Sequence, residues 1–567
     1  MERRSNGLIK PTPGQSPLQS SILIPKWPAN RTPATKQRQH MKQFFRGSLI
    51  GWMLLITSIH LVAQDNLKNL PELSMPISNK KLVIAHCMTN IIRYKGHKLE
   101  DSCDPEYYAT KGNSTASLGG LTQVKVMTDS LLKDKTLEET VEFEMRTAMQ
   151  SGIDGFQFYY VLGAPDWDEI IKAYFRVADK QQLDFKLTLC VSHPGGSTEE
   201  AKIAELARRM NGIFNEVGRN NPHWLRTPDG RLLLYLWYGE SLADIPADRQ
   251  GLPESYYVAR AYKRLGDAVN EKFALARTIN ERIDEQKANE YLDYFPAVWM
   301  WTVSFTNDYA GKVVADACRK RNRSFMGSAF NDFYTSKLLK RGTWDMFHYA
   351  SEAVSAGINK VERKYIATGL SWNFRKMLEF GIAEDVSIMN IITWNDYPEG
   401  HHLAPEINHN DGFSLLLKYY KSIWKKESSP YQDNDIAIAF FKKYRHDIDP
   451  APYNIPVESF QQDAVQRKEE DSIEVVTILQ DKAQLMINDK MVQVPAGFTV
   501  SRIVQQKGAV RVAIIRNGIT LKKFVTPGQI TNKPIRADRL TYSWSTETDH
   551  YRRSILGALS TTAAAVE

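Results

Sequence analysis

Between about residue 80 and residue 425, short apolar runs alternate with longer amphipathic stretches. Lys81–Cys87, Gly155–Tyr160, Phe185–Cys190, Arg231–Trp237, Phe295–Trp301 and Ser324–Ser328 have the length and the β-branched or aromatic content of buried strands. Leu137–Met149, Trp167–Ala178, Ser197–Asn215, a long charged stretch near 255–290, and Asp308–Lys320 read as helices, with Thr136 a cap for the first. A weaker strand at Tyr365–Ala367, a helix at Trp372–Phe380, a strand ending at Ile391–Thr393 and a helix at Gly412–Lys425 close the series. Near-continuous apolar strands separated by helices imply a parallel sheet covered on both faces. A strand count close to eight favours a closed (β/α)8 TIM barrel in an α/β chain, here assigned to residues 64–428. No Gly-rich phosphate loop follows the first strand, which argues against a dinucleotide-binding fold.

Past residue 428 the period changes. Ile436–Phe441, Glu474–Leu479, Ala483–Ile487, Val500–Ile503, Ala509–Ile515 and Thr520–Val525 are short β-like runs punctuated by turn residues, including Asn517-Gly518 and Pro527-Gly528. Residues 429–548 are therefore expected to form a C-terminal β-sandwich. Residues 549–567, ending in a small-residue tail, are expected to be disordered.

The N-terminal end changes how the charge is read. Met41 to Arg46 is short and basic, Leu49 to Ala63 is largely apolar, and Gln64-Asp65-Asn66 turns polar. This is the order of a secretory signal at residues 41–63, with cleavage after Ala63, rather than a retained anchor. Residues 1–40 are rich in Pro, Gln, Ser and basic residues without periodicity, and are expected to be a non-native or disordered extension. They carry seven basic and one acidic side chain, and Lys42 and Arg46 add two more, which accounts for the whole formal charge of +8. The remaining chain is near neutral and has no basic helix, so nucleic acid is not an expected partner and no stable membrane anchor is expected. Secreted or periplasmic location and a monomeric state are the corresponding expectations. The cysteines Cys87, Cys103, Cys190 and Cys318 show neither CxxC nor metal-ligand spacing. Cys87 and Cys190 read as buried thiols, with a Cys87–Cys103 bridge the alternative. No cofactor and no metal are expected.

The candidate chemistry sits at Ile391 to His402. A β-branched run ends there in Trp394-Asn395-Asp396-Tyr397-Pro398-Glu399-Gly400-His401-His402. Chemistry in a parallel barrel is built at the C-terminal ends of the strands. Asp396 and Glu399 supply the two carboxylates that glycosidic cleavage requires. Substrate-binding candidates are His86 at the end of the first strand, Asp154 before the second, and the strand-end aromatics Tyr159, Trp237, Trp301 and Trp394. Asn395, Tyr397, His401 and His402, around the acids, complete the set. Trp394 and Trp301 are the preferred sugar platforms.

The run Ile392-Thr393-Trp394-Asn395-Asp396-Tyr397-Pro398-Glu399-Gly400-His401 resembles the Ile-Thr-Trp-Asn-Asp-Tyr-Gly-Glu-Ser-His run of glycoside hydrolase family 71, the endo-α-1,3-glucanases or mutanases. Ile84-Ala85-His86, Gly152 to Phe156, Trp372 with Arg375, and Asp435 to Arg445 agree with that family in order. The resemblance implies inverting endo-hydrolysis of α-1,3-glucan on a polysaccharide partner. Inversion calls for carboxyls about 6.5–9.5 Å apart, and Glu399 is read as the general acid and Asp396 as the general base. The chain departs from the family where an acid often ends the third strand and Ser192-His193 stands here. Pro398 and Gly400 also depart from the pattern beside the acids. The pattern is related, too, to endo-α-mannosidases. An endo-α-mannosidase-like activity and an inactive surface glycan-binding protein are the two rival functions.

Overall fold

A computed structural model describes residues 76–99, 127–335, 338–343, 346–347, 361–448, 457–459, 464–534 and 539–560. The expected extension, the signal segment, and Cys103 lie outside these residues. Eight parallel strands close a barrel: β1 (Leu82–Cys87), β2 (Gly155–Val161), β3 (Lys186–Ser192), β4 (Leu232–Trp237), β5 (Phe273–Ile279), β6 (Ala297–Met300), β7 (Ser324–Ala329) and β8 (Ile388–Ile391). Each strand pairs with its neighbours in sequence, and β8 closes on β1 with Ala85 opposite Ile391. A longer helix follows each strand among the described residues: α1 (Leu137–Gln150), α2 (Trp167–Lys180), α3 (Glu199–Val217), α4 (Glu254–Val269), α5 (Glu285–Leu292), α6 (Ala310–Arg321), α7 (Trp372–Ala383) and α8 (Gly412–Lys425). Thr136 caps α1 in a reciprocal box with Glu139, as its position predicts.

Two expectations are corrected together. The charged stretch near 255–290 is not one helix but α4, β5 and α5 in succession. Asn270 stops α4 in a left-handed conformation (φ 52°), and Phe273–Ile279 then enters the barrel. Its Ala, Leu and Arg content favours a helix locally, and burial between β4 and β6 overrides that propensity. The weak strand at Tyr365–Ala367 is not a barrel strand. Val361–Tyr365 instead joins Leu338–Lys340, Met346–Phe347 and Val457–Ser459 in a small separate sheet.

The alternation of each strand sorts residues between the barrel interior and the helix layer. On β2, Phe156 and Phe158 pack on Tyr174 of α2, while Gln157 donates to the side chain of Asn390 on β8, inside the barrel. Tyr235 of β4 and Trp299 of β6 meet edge to face in the same interior, at 5.6 Å.

Two four-stranded antiparallel sheets follow. Their strands are β9 (Ile436–Phe441), β10 (Ser472–Leu479), β11 (Ala483–Ile487), β12 (Lys490–Val494), β13 (Gly497–Val504), β14 (Gly508–Arg516), β15 (Ile519–Ile530) and β16 (Tyr542–Ser545). One sheet is ordered β13-β10-β9-β16 and the other β12-β11-β14-β15. Asn517 and Gly518 make the tight β14–β15 turn with φ of 53° and 78°. Pro527-Gly528 does not turn the chain. It lies within β15, where the register shifts against Ala509 to Arg511, as a bulge. The stretch expected to be disordered from residue 549 begins in a helix, α9 (Thr548–Ser560), whose Ile555 packs with Leu132 and Phe143.

Buried ion pairs join the sheets to the barrel. Asp332, just past β7, lies 3.4 Å from Lys442 of the first sheet, and Lys442 lies 3.6 Å from Glu470. Glu474 of β10 accepts from Ser371 at the start of α7 and from Arg502. Cys87, Cys190 and Cys318 are buried free thiols. Among the described residues, no helix is long and apolar enough to cross a membrane.

Candidate active site

The segment after β8 is anchored on both sides before it presents its acids. Ile392 N–H donates to Ala329 of β7 (3.0 Å), and Trp394 N–H donates to His86 of β1 (2.7 Å). Thr393 Oγ1 accepts from Asp396 N–H (2.9 Å), and Asp396 Oδ1 accepts from Glu399 N–H (3.3 Å). Tyr397–Glu399 thus forms a 3-10 turn whose N-terminal cap is Asp396. Gly400 ends it at φ 73°, where a Cβ would stand 2.7 Å from Leu540 and 3.2 Å from Tyr334 N. Tyr334 N–H holds the turn from outside by donating to Glu399 O (2.8 Å).

His401 draws the two carboxylates together. Its Nε2 lies 3.2 Å from Glu399 and 3.7 Å from Asp396. The ring stacks on Phe333 (5.6 Å, 20°) and meets Trp301 edge-on. The Glu399 side chain is 32 % exposed and that of Asp396 is 10 % exposed. One oxygen of each acid and a nitrogen of His401 lie within 4.8 Å of one another. This is closer than the separation of about 6.5–9.5 Å expected from the inverting reading.

Below the acids, His86, Tyr159, Trp237 and Trp301 form the top layer of the barrel interior. His86 contacts Trp301 (5.1 Å) and Tyr159 (5.9 Å), and Trp237 contacts Tyr159 (5.8 Å) and Trp301 (5.3 Å). Burial lowers the His86 pKa to about 3, so its ring is neutral, and Glu399 is close enough for its charge to oppose that shift. His86 itself is buried, within electrostatic reach of both His401 and Glu399.

Five expected contacts lie elsewhere. Trp394 points into the helix layer, fully buried against Phe156, and its Nε1 donates to Glu144 of α1. It is no sugar platform. Asn395 is spent on backbone, donating to Met88 O and Ile91 O and accepting from Met88 N–H. Tyr397 and His402 turn inward to each other (4.7 Å). Asp154 sits at the opposite end of the barrel, accepting from Val83 N–H (2.9 Å) and from Lys421 (2.6 Å).

His402 begins a second cluster, with Glu406 and His409, that is sealed from solvent. Glu406 lies 3.4 Å from His402 and accepts from Asn408 N–H (2.8 Å), the Asn408 amide and His409 N–H (3.1 Å). His409 Nε2 lies 3.4 Å from Asp332. Burial pushes the Asp332 carboxyl up, but Lys442, His409 and Thr541 N–H outweigh it and hold the pKa at about 2. This donor set could hold a metal by type, as could the acid pair with His401. In the buried cluster, however, protein donors already engage the carboxylates, which gives it a structural role, although His402 Nδ1 and Asn408 Oδ1 have no hydrogen-bond partner.

Residues unmarked in the sequence complete the mouth. Phe333 backs His401, and Tyr238, Glu240 and Arg277 line a cleft beside Trp237. Tyr238 and Glu240 follow a correctly placed strand and were within reach of the rule that strand ends carry chemistry. Arg277 was hidden by the helical reading of its strand.

A comparison with curated protein sequences finds no match. Among solved structures, an endo-α-mannosidase of family GH99 from Bacteroides thetaiotaomicron is 10 % identical with a TM-score of 0.38, covering 61 % of this chain and 98 % of its own. A family 2 glycosyl hydrolase from Bacteroides cellulosilyticus is 9 % identical with a TM-score of 0.39, covering 79 % and 48 %. A family 1 β-glucosidase from Thermotoga maritima is 10 % identical with a TM-score of 0.32, covering 63 % and 99 %. Likeness at that level carries no argument about chemistry, and the fold stands on the strand order. Residues 366–546 match the family model of Glycosyl hydrolase family 71, a span that includes α7, β8, both acids and both C-terminal sheets, and this match marks the chain as a glycoside hydrolase similar to that family.

Proposed function

We propose that this chain is an endo-acting hydrolase of α-1,3-glucan that works by inversion, with Glu399 as general acid and Asp396 as general base. The observation that carries the reading is the convergence of the two carboxylates on His401 at the C-terminal end of β8. In the reaction Glu399 gives its proton to the leaving glycosidic oxygen. Asp396 takes a proton from water as the water oxygen bonds to the anomeric carbon and the old C–O bond breaks. Glu399, the more exposed acid, is the natural partner of the leaving group. Asp396, held by Glu399 N–H, is the more firmly oriented base. An insoluble polysaccharide is met outside the cell, in keeping with the signal-like order of residues 41–63.

Inversion makes a demand on the unliganded spacing: Glu399 must swing away from His401 to admit a water. Product release from α-1,3-glucan tests the activity, and the anomeric configuration of the first product, read by NMR, tests the route. An inverted product supports the opening of the pair. A retained product would mean that the pair acts at its short spacing, one carboxylate attacking carbon. Cleavage of α-mannosides with no release from α-1,3-glucan would replace the substrate while leaving the acids in place.

A further inference from the structure

The mouth of the barrel holds a second concavity, over the ends of β3, β4 and β5, with a volume of about 340 Å³. Its rim is an aromatic pair. His193, just past β3, stacks on Tyr238, just past β4, at 4.9 Å and 15°. Both residues take left-handed backbone conformations (φ 41° and 54°), which turn their side chains at the strand ends. Tyr238 is 47 % exposed, and its hydroxyl accepts from Asn280 (3.0 Å). An exposed ring fixed by a stacking partner and a hydrogen bond is a prepared surface rather than a loose side chain.

The floor of the cleft is polar and incompletely satisfied. Arg277 is buried, paired with Glu240 at 2.8 Å and lying over the Tyr291 ring at 4.2 Å. Thr278 Oγ1 and Arg277 Nε are buried in the cleft wall, and neither has a hydrogen-bond partner within the protein. Buried polar groups without protein partners are costly unless something else meets them. Glu281 adds a carboxylate at the rim. Rings and hydroxyl acceptors in one concavity suit a neutral sugar, which offers an apolar face for stacking and hydroxyls around its edge.

A series of side-chain contacts joins the rim of the cleft to the acids. Tyr238 meets Trp237 (4.7 Å), Trp237 meets Trp301 (5.3 Å), Trp301 meets His401 (6.1 Å), and His401 reaches Glu399 (3.2 Å). We propose that this cleft is a remote sugar subsite, which takes a neutral hexose unit of the chain being cut and stacks it on Tyr238, with Glu240, Asn280 and Glu281 at its hydroxyls. It rests on the hydrolase reading for the chain it holds. It makes the enzyme sensitive to substrate length.

The test compares the parent with Tyr238→Ala and Tyr238→Phe on a disaccharide, a hexasaccharide and insoluble α-1,3-glucan, with the matching α-mannosides alongside. Loss of one stacking platform is expected to lower kcat/KM on the hexasaccharide and polymer about tenfold or more. The shortest substrate cleaved should be unaffected, and Tyr238→Phe should retain most of the parent's rate. An equal loss at every length, or none at any, overturns the subsite while the hydrolase reading stands. The same exchange in a Glu399→Gln background, followed by calorimetry with each hexasaccharide, separates the two readings. If the parent cleaves nothing but hexasaccharide binding still depends on Tyr238, the subsite survives without the hydrolase. Hexasaccharide binding that ignores Tyr238, or no binding at all, overturns it.

Discussion

His401 and His402 are neighbours in the chain, and each faces carboxylates, yet they belong to opposite kinds of site. His401 stands between Asp396 and Glu399 at a mouth where one acid is a third exposed. His402 stands against Glu406 in a cluster that solvent does not reach, where backbone and side-chain donors already hold the carboxylates. Composition alone does not tell these clusters apart. Access does, together with what the protein has already spent on each acid. The open cluster keeps a carboxylate at the surface for a reacting group, whereas the sealed one ties the end of β7 to the C-terminal sheets through Asp332 and Lys442.

The sharpest way to break this contrast is to remove charge from each side. Glu399→Gln and Asp396→Asn should each lower the hydrolysis rate by about 10²–10⁴-fold or more. Glu399→Gln should leave unfolding free energy within about 1 kcal/mol of the parent, because its side chain is partly solvated. Asp332→Ala should do the reverse. It leaves Lys442 buried with one acid fewer and should cost about 3–5 kcal/mol in denaturant unfolding, while chain that remains folded still cleaves substrate. Large rate loss in Asp332→Ala at full stability would merge the two clusters into one catalytic unit.

A third prediction concerns Glu144, the buried acid behind Trp394. Burial raises its pKa to about 7, against the opposing hydrogen bond from Trp394. The folded chain therefore keeps a proton that the unfolded chain releases near its ordinary value of 4.5. The parent loses stability as pH rises through that interval. Glu144→Gln carries no such proton, so its stability advantage over the parent should grow from near zero at low pH to about 3 kcal/mol above pH 7. Denaturant unfolding of both chains across the interval reads this directly, and a pH-independent difference would mean that Glu144 ionises freely in the fold.

The barrel was legible because its strands are apolar on both faces, which leaves long uninterrupted runs between amphipathic helices. Phe273–Ile279 escaped because Ala274, Ala276 and Arg277 favour a helix, and only tertiary burial makes them a strand. The acid pair was legible because two carboxylates beside aromatics end a β-branched run. Which strand-end aromatics line the mouth was less so. Trp394 lies at the strand end like Trp301, but it points into the helix layer, and the phase of a strand is not marked by one large ring. Asn395 was misjudged for a related reason. An amide at a strand end reads as a ligand contact, while here it closes backbone hydrogen bonds of the neighbouring loop. Tyr238 and Glu240 follow β4 while Arg277 lies on β5, and their meeting is a product of strand pairing that no single stretch of sequence carries.

The most direct test of the central claim is product release from insoluble α-1,3-glucan by the chain from Gln64 onward, run beside its Asp396→Asn and Glu399→Gln variants at matched folded concentration. Soluble oligosaccharides from the parent, and a loss of several orders of rate in both variants, are the predicted result. Undiminished release by either variant, or tight glucan binding by the parent without any product, would contradict the assignment of the open cluster as the catalytic pair.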